Sequence, residues 1–287
     1  MNKKICQMVT DRLIAEMEKG IIPWNKPWHG SGGAVSHVTG KPYSCLNQLI
    51  LRPGEYITFN QCKAEGGKVK KGCHGYPIVF WKQFKVEEVN PTTNEIESKL
   101  IPLLKYYTVF HIEDCEGIEA KYDIETDQPS ANPDMTAESV VDNYEYREES
   151  LRINRVDITD EAFYSPKRDY IQVPCMEQYE NNSEYYSTLF HEMIHSTGHT
   201  TRLNRFTGSA AAAAFGSEEY SKEELIAEIG AAALVNYCGL ETTSTFRNST
   251  AYLQSWIKAL RNDPTMIVAA AGKAEKAFNY IIDNRGE

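Results

Sequence analysis

His191-Glu192-Met193-Ile194-His195 constrains this 287-residue chain more than any other stretch. Two histidines four residues apart on a helix point the same way and can grip one metal ion, with Glu192 beside it. Neutral imidazoles at this spacing suit tetrahedral zinc, and a bound water acidified to a pKa of about 7 can pass its proton to the intervening carboxylate. The flanks support a helix. Tyr185, Tyr186, Leu189 and Phe190 supply apolar bulk, Met193 and Ile194 continue it, and Gly198 ends it, so the segment reads as a buried helix. The competing reading is a core helix whose two histidines are satisfied by ordinary hydrogen bonds.

A three-ligand catalytic site needs one more protein donor. The metzincin pattern H-E-x-x-H-x-x-G-x-x-H is half met: Gly198 is in place, but Thr201 stands where the last histidine belongs. His199 extends the stripe from His191 and His195, yet Gly198 breaks the helix before it, which suits a substrate contact as well as a ligand. The stronger candidates lie in Ser221 to Glu228, which reads as a helix start, the helix continuing through Ala231 to Tyr237. Leu225, Ile229, Ala232 and Ala233 bury one face, and Glu224 and Glu228 stand one turn apart on a neighbouring face. The pair resembles the acidic pair on the second helix of glutamate-ligand zincins. That resemblance implies Glu224 as third metal ligand and Glu228 orienting a zinc-bound histidine, with Glu223 the competing choice. Ordinary solvated glutamates would give the same pattern.

Charge divides the chain. Residues 1–85 hold 13 Lys or Arg against 5 Asp or Glu, a net +8, and the remainder holds 17 against 35, a net −18. A basic front joined to an acidic back suggests that the front meets a polyanion. In the front, Trp24, Trp28, Tyr43, Tyr56, Phe59, Tyr76, Phe80 and Trp81 are interleaved with Lys26, Lys41, Lys63, Lys68, Lys70, Lys71 and Lys82. Aromatics that stack on bases and lysines that neutralise phosphates are how single strands are held. A small aromatic core with a lysine-rich surface is the plainer alternative. Gly66, Gly67, Gly72 and Gly75 around Val69-Lys70-Lys71 make a loop that can approach a phosphate backbone closely.

The fold class expected is α+β. Ile5, Met8, Val9, Leu13 and Met17 form a helical stripe, and Tyr76 to Val86 and Tyr106 to Ile112 read as strands, with polar Glu87 to Ser98 a hairpin excursion or flexible loop between them. Residues 1–125 are thus a helix with a small antiparallel sheet. Residues 126–138, with Pro129 and Pro133, read as a linker, and 139–287 as an α-rich domain with helices at Ser249 to Arg261 and Ile267 to Asp283. The Ala210 to Ala214 run is helix or loop. No segment approaches a membrane span or a signal-peptide core, and the seven scattered cysteines lack C-x-x-C spacing. These features point to a cytoplasmic protein with reduced thiols.

The chain resembles the ArdC family of antirestriction proteins over nearly its whole length. In the front half the resemblance rests on Pro23-Trp24 with Pro27-Trp28, on Thr39-Gly40-Lys41-Pro42-Tyr43 leading to Asn47, on Thr58-Phe59 followed by Gly67 to Gly72, and on Tyr107-Thr108-Val109-Phe110. In the back half it rests on Tyr164, Asp169, Ile171 and Pro174, on His191 to His199 with Arg202-Leu203-Asn204-Arg205, and on Glu223 to Gly230 with Trp256. It implies a single-strand-binding N-terminal domain and a zincin-like metallopeptidase domain, with His191 and His195 as zinc ligands, Glu192 as general base and a glutamate among Glu223 to Glu228 as third ligand. It also implies a protein carried by mobile elements that shields entering single-stranded DNA. His111, Asp114 and Ser196 depart from the family pattern.

Taken together, the expected DNA contacts are Trp24, Trp28, Lys41, Tyr43, Asn47, Lys68, Lys70 and Lys71, and the expected cofactor is zinc. Tyr164, His199 and Arg202 are candidate transition-state stabilisers. The rival reading is a plain zinc metallopeptidase whose N-terminal domain recruits a protein or peptide substrate; a weaker one is a zinc kept for stability.

Overall fold

The computed structural model describes residues 2–25, 33–89, 96–122, 132–206, 218–240 and 250–283. Its front half runs α1 (Lys3–Met17), β1 (Ala34–Ser36), α2 (Cys45–Ile50), β2 (Gly54–Thr58), α3 (Phe59–Ala64), β3 (Lys68–Val69), β4 (Tyr76–Val89), β5 (Ile96–His111) and β6 (Cys115–Glu116). Its back half runs α4 (Pro133–Arg147), β7 (Arg152–Asn154), β8 (Phe163–Ser165), β9 (Tyr170–Gln172), α5 (Asn182–Ser196), α6 (Glu218–Cys238), α7 (Thr250–Asn262) and α8 (Met266–Ile281). The architecture is α+β, and no described helix is long and apolar enough to cross a membrane.

The apolar stripe of α1 does not stay with the front sheet. Ile5, Val9, Leu13 and Met17 enter the same core as α7 and α8, where Thr10 donates its hydroxyl to Pro264 O at 2.8 Å and Arg261 meets Glu18 at 2.5 Å. Trp24, in the 3-10 turn Pro23–Asn25, is fully buried in that core, edge-on to Trp256 with ring centroids 5.8 Å apart. Neither face of its indole is open to a base, so the expectation of Trp24 as a DNA platform is corrected. A large apolar ring gains more from burial in the core than it would at a wet surface.

The front sheet has strand order β1-β2-β5-β4, with β1 and β2 parallel and the other pairs antiparallel. Asn47 of α2 docks on it: its amide donates to Val79 O and accepts from Val79 N–H, both at 2.9 Å. Buried and committed to Val79 and to the Ser44 hydroxyl, Asn47 is a structural bridge, which corrects its expected role at DNA. Of the two readings of Glu87 to Ser98, the hairpin holds for segments 87–89 and 96–98, which belong to the β4–β5 ladder, where pairing satisfies their backbone groups.

In the back half α4 begins at Pro133, inside the stretch expected as linker, because proline suits the first helical position. Three short strands in the order β7-β9-β8, unmarked by any sequence periodicity, form a sheet beside α5. Helix α6 begins before Ser221, which sits in its first turn rather than capping it. Trp28 and the Ala210 to Ala214 run lie outside the described residues.

Candidate metal centre and nucleic-acid face

Asn181 starts α5 by accepting from Glu184 N–H at 3.0 Å, and the helix ends with Thr197 as its C-cap. Along it, Tyr185, Leu189, Phe190 and Ile194 are buried. Helix α6 packs against it closely because Gly230 lacks a side chain: a Cβ there would lie 2.6 Å from Ile194 Cδ1. This contact sets Glu224 opposite the histidine pair.

Three donors converge. His191 Nε2 and His195 Nε2 are 3.1 Å apart, and the Glu224 carboxylate lies 3.5 Å from the first and 3.4 Å from the second. A tetrahedral ion with bonds of about 2.0–2.2 Å holds its ligands about 3.4 Å apart. The donor set fits one divalent ion with little movement, and His191, His195 and Glu224 form one group whose candidate ligand atoms lie within 4.8 Å of each other. Glu192, on the same helix, is buried.

The surroundings tune these groups. Burial by itself lowers the pKa of His195, but Glu223 and Glu224, with Glu192 nearby, outweigh it and bring it up to about 10. Burial pushes Glu224 the other way, and hydrogen bonds from both imidazoles overcome it, holding the carboxyl well below its ordinary range. The acidic neighbours thus favour the protonated form of His195 in the metal-free chain. The carboxylate that meets His195 Nδ1, at 3.4 Å, is Glu223, itself gripped by Arg205 at 2.7 Å. Arg205 also donates to Thr197 Oγ1 at 2.6 Å and Ile194 O at 2.8 Å, so it ties α6 to the end of α5. Glu228 is the residue expected to orient a histidine; the carboxylate found at His195 Nδ1 is Glu223, and among the described residues His191 Nδ1 is buried with no hydrogen-bond partner. A residue the sequence reading missed is Tyr220. Burial, a hydrogen bond to Glu224 and the nearby Glu192 charge raise its phenol to about 12. The i,i+4 spacing of Tyr220 and Glu224 was the available signal.

Two of the expected transition-state stabilisers are structural. The Arg202 side chain is 0% exposed, and its Nε donates to Ser196 O at 2.8 Å. Its other nitrogens meet Asp169, Tyr164 and Glu148. Asp169, at φ 48°, also accepts from Tyr164 at 2.8 Å and Ser150 at 2.6 Å. Arg202 and Tyr164 therefore brace α5 against the β7–β9 sheet through Asp169. His199 lies in the turn beyond α5, hydrogen-bonded to Thr201 at 2.8 Å and outside the ligand group. Of the family departures, Ser196 bonds Tyr144 at 2.9 Å in the core, and His111 packs edge-on to Tyr56 at 5.1 Å.

On the front half, Lys41, Lys68, Lys70 and Lys71 are exposed and Tyr43 is half-buried. Lys68 pairs with the Glu116 carboxylate at 3.4 Å, which offsets part of that patch, and Lys70 donates to the backbone carbonyl of Glu113 at 2.6 Å. Exposed aromatics gather instead on the β4–β5 ribbon: Phe80, Trp81, Tyr106 and Tyr107, beside exposed Lys82 and Lys105, whose ammonium groups lie 5.5 and 4.8 Å from the centre of the Phe84 ring. Tyr106, Tyr107 and Lys105 were not among the expected contacts.

A family model described as the N-terminal domain of anti-restriction factor ArdC matches residues 3–110, and one described as a zincin-like metallopeptidase matches residues 146–273. The metal-free crystal structure of the antirestriction ArdC protein from plasmid R388 is similar at 33% identity and a TM-score of 0.72, with 97% of each chain covered. The Mn(II)-bound structure of that protein matches at 32% identity and the same TM-score of 0.72. The DNA primase TraC of Escherichia coli is 31% identical over 98% of this chain, and the uncharacterized protein y4eC of Sinorhizobium fredii is 27% identical over 96% of this chain and 91% of that protein. The chain spans 20% and 27% of the length of the two TraC proteins it matches.

Proposed function

The chain belongs to the ArdC family of antirestriction proteins, and from that premise we propose that it binds single-stranded DNA through its basic front half and cleaves peptide bonds at a zinc site in its back half. The observation that carries the hydrolytic half is the convergence of two imidazole nitrogens and one carboxylate at 3.1–3.5 Å, with Glu192 buried on the helix that carries the two histidines. His191, His195 and Glu224 would hold the ion. Two imidazoles and a carboxylate suit zinc, although the order of divalent affinities lets manganese enter such a site. When bound, the metal supplies Lewis acidity to a carbonyl oxygen and to water.

The remaining work belongs to the chain. Glu192 takes the proton of the attacking water on its carboxylate and returns it to the departing amine nitrogen. Glu223, fixed by Arg205, meets the His195 ring at Nδ1 and leaves Nε2 as the nitrogen that would hold the ion. In this reading the Tyr220 hydroxyl, hydrogen-bonded to Glu224 in the free chain, would turn to charge that develops on the substrate oxygen.

The DNA half is supported by the net +8 of residues 1–85 and by the exposed aromatic ribbon with its lysines. In this reading the protein works in the cytoplasm on behalf of a mobile element, covering DNA that enters as a single strand. The test is a salt series with the full chain, comparing a fluorescent single-stranded oligonucleotide with its duplex. The reading predicts tighter binding to the single strand and a steep loss of affinity with salt. Absence of binding at low salt would overturn it and leave a peptidase whose front half recruits protein.

A further inference from the structure

Where β4 passes over α2 and α8, the two halves of the chain enclose a pocket of about 330 Å³. That is near the lower end of small-ligand sites, which run from about 300 to 1,000 Å³. Such a volume suits one planar heterocycle rather than a length of strand. Tyr43, Trp81 and Tyr107 line it, and Trp81 and Tyr107 are 45% and 41% exposed, so their rings can be reached from solvent.

The floor comes from the back half of the chain, as Gly272 and Glu275 of α8. Glycine in mid-helix weakens the helix relative to alanine, so its presence there asks for a reason. Crowding is not that reason, because a Cβ built on Gly272 meets nothing within 4 Å. What the glycine preserves is the open space of the pocket. Glu275, one turn along, accepts a hydrogen bond from the backbone N–H of Cys45 at the start of α2. A carboxylate has about four acceptor sites, and this bond uses one. Burial raises the Glu275 pKa, so an arriving N–H donor would relieve an under-solvated charge. Asn47, also in the lining, is spent on Val79 and cannot read a ligand.

Resting on the single-strand reading above, we propose that this pocket receives one unstacked nucleobase bearing an exocyclic amine, held against the aromatic side chains with its amine donated to Glu275. Cytosine, adenine and guanine carry that amine, whereas thymine offers only its N3–H, set between two carbonyl oxygens that a carboxylate repels. The bound base would touch both halves of the chain at once.

The experiment is fluorescence anisotropy on the full chain at one salt concentration, with a short all-thymine oligonucleotide and the same strand carrying one central dC, dA or dG. The proposal predicts that one amino-bearing base tightens binding by at least about fivefold. Glu275→Gln keeps an oxygen for the Cys45 N–H but offers its amide to thymine, so substituted and all-thymine strands should bind it alike. Gly272→Leu fills open space on a helix it favours and should remove the same gain. Retention of the gain in both variants, or equal wild-type affinity for all strands, overturns the pocket while leaving the DNA reading in place. No binding of any strand at low salt defeats the DNA reading, and this inference with it.

Discussion

At the metal centre, opposite charges lie within 3.5 Å of one another behind buried side chains, whereas on the β4–β5 ribbon Lys82 and Lys105 stand in solvent beside rings that are 38–52% exposed. In the first region side chains hold one another: Arg205 holds Glu223, Glu223 meets His195, and Arg202, beyond the end of α5, locks Asp169 in the turn before β9. Removing one member strands its partner in a low-dielectric site, where an unpaired charge is costly. On the ribbon, water replaces any lost contact. The comparison therefore predicts large, singular effects at the centre and small, additive ones at the ribbon.

The largest effect is on turnover. Glu192→Gln should lower peptide hydrolysis by about 10²–10⁴-fold with one metal per chain retained, measured on a denatured protein substrate beside metal analysis. Unchanged turnover would remove Glu192 from the chemistry. Next comes Arg202→Ala, which leaves Asp169 buried and unpaired and should cost about 3–5 kcal/mol in denaturant unfolding. A loss below about 1 kcal/mol would mean the brace around α5 is not the rigid element described above. Glu223→Gln should weaken metal binding by about 10–100-fold, the usual cost of losing a carboxylate behind a ligating histidine. Glu228→Gln, which leaves His195 its Glu223 partner, should weaken it much less; the opposite ranking would return the orienting role to Glu228.

The pH dependence follows from the same cluster. His195 is raised from 6.5 to about 10, so its stabilising contribution to the metal-free chain is complete below 6.5 and fades as pH rises toward 10. Glu223 and Glu224 are lowered from 4.5, so theirs is complete above 4.5 and fades below it. The metal must displace the proton the cluster holds. The rise in Tm on adding zinc should therefore be larger at pH 8.5 than at 6.5, and a smaller or equal rise would contradict the arrangement. The smallest effect belongs to the ribbon: Lys105→Gln should weaken single-strand binding a few-fold and flatten its salt dependence by about one unit of slope. A loss as large as those at the metal centre would break the contrast.

What the sequence disclosed depended on distance along the chain. The histidine pair was legible because one helix carries both, and helix phase marked Glu224 as a ligand candidate. The partner of His195 Nδ1 was not legible, because Arg205 selects Glu223 through a contact between separate segments. Trp24 looked like a surface aromatic in its local setting, and its burial depends on Trp256 at the other end of the chain. The α+β class was readable from the long helical and strand patterns. The three-residue strands β7, β8 and β9 were too short to show a period, and the apolar face of α1 gave no sign that its partners were α7 and α8.

The central claim is that His191, His195 and Glu224 together hold one divalent ion. The most direct test is equilibrium zinc binding to the metal-stripped full chain, compared with Glu224→Gln under the same conditions. The account predicts one zinc per wild-type chain and at least about a hundredfold weaker binding in the variant, since a direct ligand should matter more than the carboxylate behind it. Glu224→Gln binding one zinc as tightly as wild type would contradict it.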